Sequence, residues 1–167
     1  MKSTAIAAGP VRKDRLLHEY NHNPYQIRHK LAEPTVCPVC NAVFQGGRWQ
    51  WAKSWPLDAH EEMCEACRRT KDNYPAGEVT LQGAAVRERK TELLNLARNL
   101  EERERAEHPL HRILRVEERP DRMVISTTDL HLARHIGEAV AHAHKGKLDW
   151  HYTKESGFVR VNWNSES

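Results

Sequence analysis

The apolar positions along this 167-residue chain change their spacing twice, dividing it into three kinds of sequence. Residues 1–33 have no apolar period. His, Asn, Arg and Lys are scattered through them, which predicts a flexible, extended basic arm, either one able to order on a partner or a solvated tail with no role. From Pro34 to Pro75 the apolar residues come in short groups. Val43-Phe44 and Arg48-Trp49-Gln50-Trp51 flank Gly46-Gly47, the pattern of a β-hairpin. Trp49 and Trp51 share one face of its second strand, with Arg48 and Gln50 on the other.

From Ala76 the pattern becomes regular. Glu78–Leu81 reads as a short strand. Ala84–Glu107 reads as a long helix, with Val86, Leu93, Ala97 and Leu100 near helical spacing and Pro109 as its stop. Six acids and six bases lace its other faces, the composition of a solvated, mutually paired surface. Two strands follow, His111–Glu118 and Arg122–Thr127, joined at Arg119-Pro120-Asp121. Thr128 and Asp129 are capping residues for a second helix, expected to end at Lys145 with Gly146 as its C′ residue. Its buried stripe is Leu132, Ile136, Val140 and Ala143. A last hairpin pairs Leu148–Thr153 with Phe158–Trp163 around Glu155-Ser156-Gly157; Leu148, Trp150 and Tyr152 share a face, as do Val159, Val161 and Trp163.

The expected fold class is therefore α+β. A metal-binding module at 34–75, a zinc ribbon or a treble clef if a helix follows Cys67, precedes a ferredoxin-like β-α-β-β-α-β domain at 76–164 with an extra C-terminal strand. In that fold two helices cover one face of an antiparallel sheet.

Candidate chemistry starts with the cysteines. There are four, in two Cys-x-x-Cys pairs: Cys37-Pro38-Val39-Cys40 and Cys64-Glu65-Ala66-Cys67. Each pair turns two sulfurs towards one centre, so together they complete a tetrahedral four-thiolate site. Zn²⁺ suits it, with iron in a similar cage as the alternative. Two disulfides would fit a secreted domain, but Ala5-Ile6-Ala7-Ala8 before Pro10 is no signal-peptide core, so a cytoplasmic location with reduced thiols is expected. A redox-active motif would need one pair and a surrounding βαβ pattern. A closed four-thiolate site has no open position for substrate, which makes the ion structural.

Composition adds one point. The net charge of +3 over the whole chain is mild, but residues 1–30 carry Lys2, Arg12, Lys13, Arg15, Arg28 and Lys30 against Asp14 and Glu19, a net +4. Tyr20, His22, Tyr25 and His29 interleave flat rings with those cations, a mixture suited to bases and phosphates. The candidate RNA contacts are Arg12, Lys13, Arg15, Arg28 and Lys30 of the arm, Arg48, Trp49, Trp51, Arg68, Arg69 and Lys71 of the module, and His131, Arg134 and His135 of the last helix. Two other classes compete. His131, His135, Glu138 and His142 lie along one polar helix face and could serve a metal-dependent hydrolase or nuclease, although no His-Glu-x-x-His order is present. The charged face of the long helix could instead dock a protein.

Several segments also resemble a set of small, uncharacterised bacterial zinc-ribbon proteins. They are Lys30–Cys40, Gly47-Arg48-Trp49, Cys64–Arg69, Tyr74-Pro75-Ala76-Gly77 and Thr127–Gly137, and the likeness covers most of residues 24–163. Those proteins are in turn similar, more distantly, to the amino-terminal region of the archaeal and eukaryotic large-ribosomal-subunit export adaptor named for nonsense-mediated decay. That family binds zinc through Cys-x-x-Cys pairs and docks on the large subunit. This chain has only two such pairs and lacks the longer carboxy-terminal domains. The resemblance implies one structural Zn²⁺ and a non-catalytic role on the ribosome, the large subunit foremost, or on ribosomal RNA, in assembly, storage or quality control.

Overall fold

The computed structural model describes residues 24, 25, 27 and 29–166. The arm residues Arg12, Lys13, Arg15 and Arg28 lie outside them. Two sheets organise the rest. The smaller has the order β3-β2-β1-β4, built from β1 (Thr35–Val36), β2 (Val43–Gln45), β3 (Arg48–Gln50) and β4 (His60–Glu61). The β2–β3 hairpin forms at the expected place, with Phe44 opposite Trp49. Gly46 and Gly47 have φ of 63° and 78°, the left-handed region that glycine enters without steric cost. Their two amides donate to the Glu33 carboxylate at 3.0 and 2.9 Å, which pins the end of the arm to the hairpin tip.

Helix α1 (Glu65–Asp72) follows β4. The treble-clef alternative requires such a helix, and it opens inside the second cysteine pair rather than after it. Cys64 is its N-cap and Asn73, at φ 51°, closes it in the left-handed conformation.

The larger sheet contains β5 (Gly77–Gln82), β6 (Ile113–Glu118), β7 (Arg122–Thr127), β8 (Gly146–Thr153) and β9 (Phe158–Ser165), in the order β6-β7-β5-β9-β8. Helices α2 (Ala84–Glu107) and α3 (Leu130–Ala143) bury their apolar faces against it. The element order agrees with expectation, but the sheet does not. It is mixed rather than antiparallel, because β9 enters between β5 and β8 and runs parallel to β5. The added strand is thus interior, and burial accounts for its position. On β9, Val159, Val161 and Trp163 are all buried, whereas β8 alternates half-buried and exposed residues as an edge strand does.

The core joins Val79, Leu81, Met123 and Ile125 of the sheet to Val86, Leu93 and Ala97 of α2 and to Leu132, Ile136 and Val140 of α3. Two helix expectations are corrected. Helix α3 stops at Ala143, which is exposed, and His144 is already extended (φ −135°, ψ 143°). Gly146 is not a left-handed cap but the first residue of β8. A Cβ there would lie 2.5 Å from the Trp163 indole nitrogen and 2.5 Å from the Asn164 carbonyl, so the glycine makes room for the buried ring. Gly137 does the same on α3, where a Cβ would meet a Val161 methyl at 2.4 Å.

Candidate metal centre

The two cysteine pairs meet between the small sheet and α1. Asn41, at φ 68°, turns the first pair back, with its N–H on the Cys37 carbonyl and the Cys37 N–H on the Ala42 carbonyl, both at 2.9 Å. The second pair is fixed by the helix start, where the Cys67 N–H donates to the Cys64 sulfur at 3.5 Å. The Cys64 N–H donates to the Cys37 sulfur at 3.4 Å and so joins the two turns. The four sulfurs lie within 4.8 Å of one another, and Cys40 Sγ is 3.8 Å from Cys64 Sγ. Four sulfurs at about 2.3 Å from a tetrahedral ion are about 3.8 Å apart. Cys37, Cys64 and Cys67 are buried, Cys40 is half-buried, and none is in a disulfide. The donor set can hold a metal ion and leaves it no open position.

Electrostatics agree with that use. The Cys40 thiol is pulled down to about 4, first by the hydrogen bond it shares with Cys64 and then by backbone and Arg112 donors acting against burial. Cys64 is pushed up by that same bond and by burial. Burial also raises Cys67, against the pull of Arg112. A divalent ion replaces the thiol protons and removes this conflict between neighbouring sulfurs.

Arg112 was not among the residues singled out from the sequence. It precedes β6 and reaches the centre from the other layer, with Nη1 3.2 Å from Cys67 Sγ and Nη2 3.8 Å from Cys64 Sγ. Burial disfavours its charge, but the sulfurs hold it protonated well above the usual arginine range. Its sequence neighbours read only as the start of a strand, so only the tertiary fold reveals it.

The candidate RNA residues divide by environment. Lys30, Arg48 and Lys71 are exposed. Arg68 pairs with Glu62 at 2.9 Å. Arg69 is turned inward, only 5% exposed, donating to the Tyr74 carbonyl at 3.2 Å with its guanidinium 4.6 Å from the Tyr25 ring centre. Trp49 is half-buried against the cysteine cluster, and Trp51 donates its indole N–H to the Arg105 carbonyl at 2.7 Å, tying the module to α2. On α3, Arg134 pairs with Glu138 at 2.8 Å and lies over the Trp150 ring, while His131 is half-buried.

His135 bonds to Glu104 of α2 and does not gather His131, Glu138 and His142 into one site. Among the described residues, the cysteines are the only group of three or more Cys, His, Asp or Glu whose ligand atoms come within 4.8 Å. The same Glu104 faces His111, whose Nε2 lies 3.4 Å from Asp129, the N-cap of α3. Glu104–His135–His111–Asp129 therefore links the end of α2, the approach to β6 and the start of α3. Burial pushes the Glu104 carboxyl up, but the two imidazoles outweigh it and hold it at about 2. His111 is raised by Glu104 and Asp129 despite burial, and His135 is raised chiefly by its bond to Glu104.

The signs define a pH window. A depressed carboxyl stabilises the fold above its unfolded value of 4.5, and that contribution is lost as pH falls towards 2. Raised histidines stabilise it below their unfolded value of 6.5, and that contribution is lost as pH rises through the folded values. The network should therefore contribute most between about pH 4.5 and 6.5. Thermal melting should show wild type losing more stability from pH 6 to pH 8 than a Glu104→Gln variant. Equal losses would remove the network from the account.

Fold and site together define an α+β protein with mixed sheets and a four-cysteine metal-binding cluster. Comparison with known family models, curated proteins and solved structures finds no match to the chain. Among the described residues, no helix is long and apolar enough to cross a membrane.

Proposed function

We propose that this chain is a non-catalytic zinc protein that binds the ribosome through ribosomal RNA, with the large subunit as first candidate, in a reducing cytoplasm. The observation that carries the RNA reading is where the net charge lies. Residues 1–33 hold six bases and three acids, residues 34–75 five of each, and residues 76–167 fifteen of each, so the whole +3 belongs to the arm. That arm runs into the metal module beside a cleft of about 320 Å³ whose lining includes Ile27, Lys30, Leu31, Phe44 and Trp49 together with the Glu33 and Glu65 carboxylates. Both carboxylates are engaged by backbone amides, Glu33 by Gly46 and Gly47 and Glu65 by Ile27, which leaves aromatic and apolar walls and the Lys30 cation for an unpaired base and its phosphate. Arg48 and Lys71 are further exposed cations of the module, and a guanidinium donates to phosphate through two parallel bonds. The ion is Zn²⁺, which takes four thiolates without redox chemistry and fixes the surface that carries Arg48. The ribosomal part rests on the sequence resemblance.

Ribosome-profile fractionation of lysate tests the reading. The wild-type chain should travel with ribosomal particles at low salt and leave them at high salt, because each phosphate neutralised releases counterions. An Arg48→Glu, Lys71→Glu double variant should leave the particles already at low salt while retaining its metal. Normal sedimentation of that variant would count against phosphate contact by these two cations.

A protein-docking reading draws on the loop after β3, where Trp55 is 53% exposed and Leu57 fully exposed. Binding through such apolar anchors would survive high salt, so the same fractionation separates the two.

A further inference from the structure

We infer that Arg112 is a fifth functional member of the metal centre, compensating its charge and making metal occupancy felt in the α+β layer. A divalent ion with four thiolates carries a net charge of −2, which is costly to bury without a counter-charge. Arg112 supplies it through two guanidinium nitrogens, at 3.2 Å from Cys67 Sγ and 3.8 Å from Cys64 Sγ. Both sulfurs belong to the pair that opens α1, so the contact also sets the position of that helix.

The same residue is built into the other layer. Its Nε donates to the Pro109 carbonyl at 2.8 Å, folding the α2–β6 connection under the side chain. Its backbone N–H donates to Thr128 Oγ1 at 3.0 Å, and its carbonyl accepts the Thr128 N–H at 2.9 Å. The Thr128 hydroxyl donates in turn to the Leu110 carbonyl at 2.7 Å, and Leu110 packs on the cysteines. Thr128 immediately precedes Asp129, the N-cap of α3. A continuous chain of contacts thus runs from the thiolates through Arg112 to the first turn of α3. When the metal leaves, the −2 charge that half-buried Arg112 faces is reduced and the sulfurs are no longer held in place, so the connection and the α3 cap loosen with the module.

The test is metal release from the zinc-loaded full-length chain to an excess of a chromogenic chelator. Partners that orient metal ligands from outside the coordination sphere typically contribute 10–100-fold to metal affinity. Arg112→Met, similar in length but uncharged, should start with one zinc and release it about tenfold faster or more. Arg112→Lys restores the charge without the paired donors and should fall between. Arg119→Met, in the exposed β6–β7 turn, should release at the wild-type rate. Hydrogen exchange supplies the second readout: removing zinc from wild type should speed exchange at the Arg112 and Thr128 amides, and Arg112→Met should diminish that difference. Wild-type release from Arg112→Met would overturn the proposal. Should the methionine variant fail to fold, wild-type release from Arg112→Lys would overturn it too. Unchanged exchange at Thr128 on zinc removal would overturn the coupling.

Discussion

Replacing Cys37 by serine should reduce the metal content from one ion per chain to near zero and unfold the module around residues 34–75. Cys37 is fully buried, its sulfur accepts the Cys64 N–H, and it sits where the two turns meet. A hydroxyl is a shorter and much weaker ligand than a thiolate, and three remaining sulfurs cannot close the tetrahedron. The module has little else to hold it. Its sheet consists of strands of two or three residues, and its buried cluster is mostly the cysteines themselves. A structural zinc site contributes about 10–16 kcal/mol of apparent binding energy, and in so small a module that energy is folding energy. Elemental analysis with circular dichroism checks this outcome, and Cys64→Ser should behave alike. Unchanged metal content in either variant would sink the four-thiolate assignment.

What was legible in the sequence follows from the range of the forces involved. The cysteine turns, the Gly46-Gly47 hairpin and the bounds of α2 are local matters of ligand spacing, permitted φ and apolar period, and each stands where it was expected. The position of β9 is not local. A strand reads the same at an edge or in the interior until the burial of Val159, Val161 and Trp163 among the two helices and the neighbouring strands decides between them. Arg69 shows a different limit. It looks equivalent to Arg68 until α1 is known to open at Glu65, which puts Arg69 one turn after buried Ala66 and on its side of the helix. Arg112 and the Glu104–His111–Asp129 network bring together residues distant in sequence, and no spacing rule could have joined them to the site.

The second large effect should come from the opposite end of the sheet. Trp163→Ala is expected to destabilise the α+β layer by about 3–5 kcal/mol, a large part of the 5–15 kcal/mol that holds a typical domain together. Trp163 is fully buried and lies opposite Leu81 on β5 and Leu148 on β8, with the His144 ring edge-on at 6.3 Å. Gly146 has given up its side chain to admit the indole, so no neighbouring group is placed to fill the space when the ring is removed. Among the described residues the buried indole N–H has no hydrogen-bond partner, so its removal offsets a little of the loss. At a urea slope of about 2 kcal/mol per molar, the midpoint should fall by about 2 M. Trp163→Phe, which leaves a smaller cavity, should lose less than half as much. Gly146→Ala approaches the same space from the other side and should cost about 1–3 kcal/mol by overpacking. Metal content separates this defect from the first: all four sulfurs belong to residues 37–67, so Trp163→Ala should still bind one ion per chain while its sheet melts early. A midpoint close to wild type would mean that Trp163 does not occupy the centre of this core.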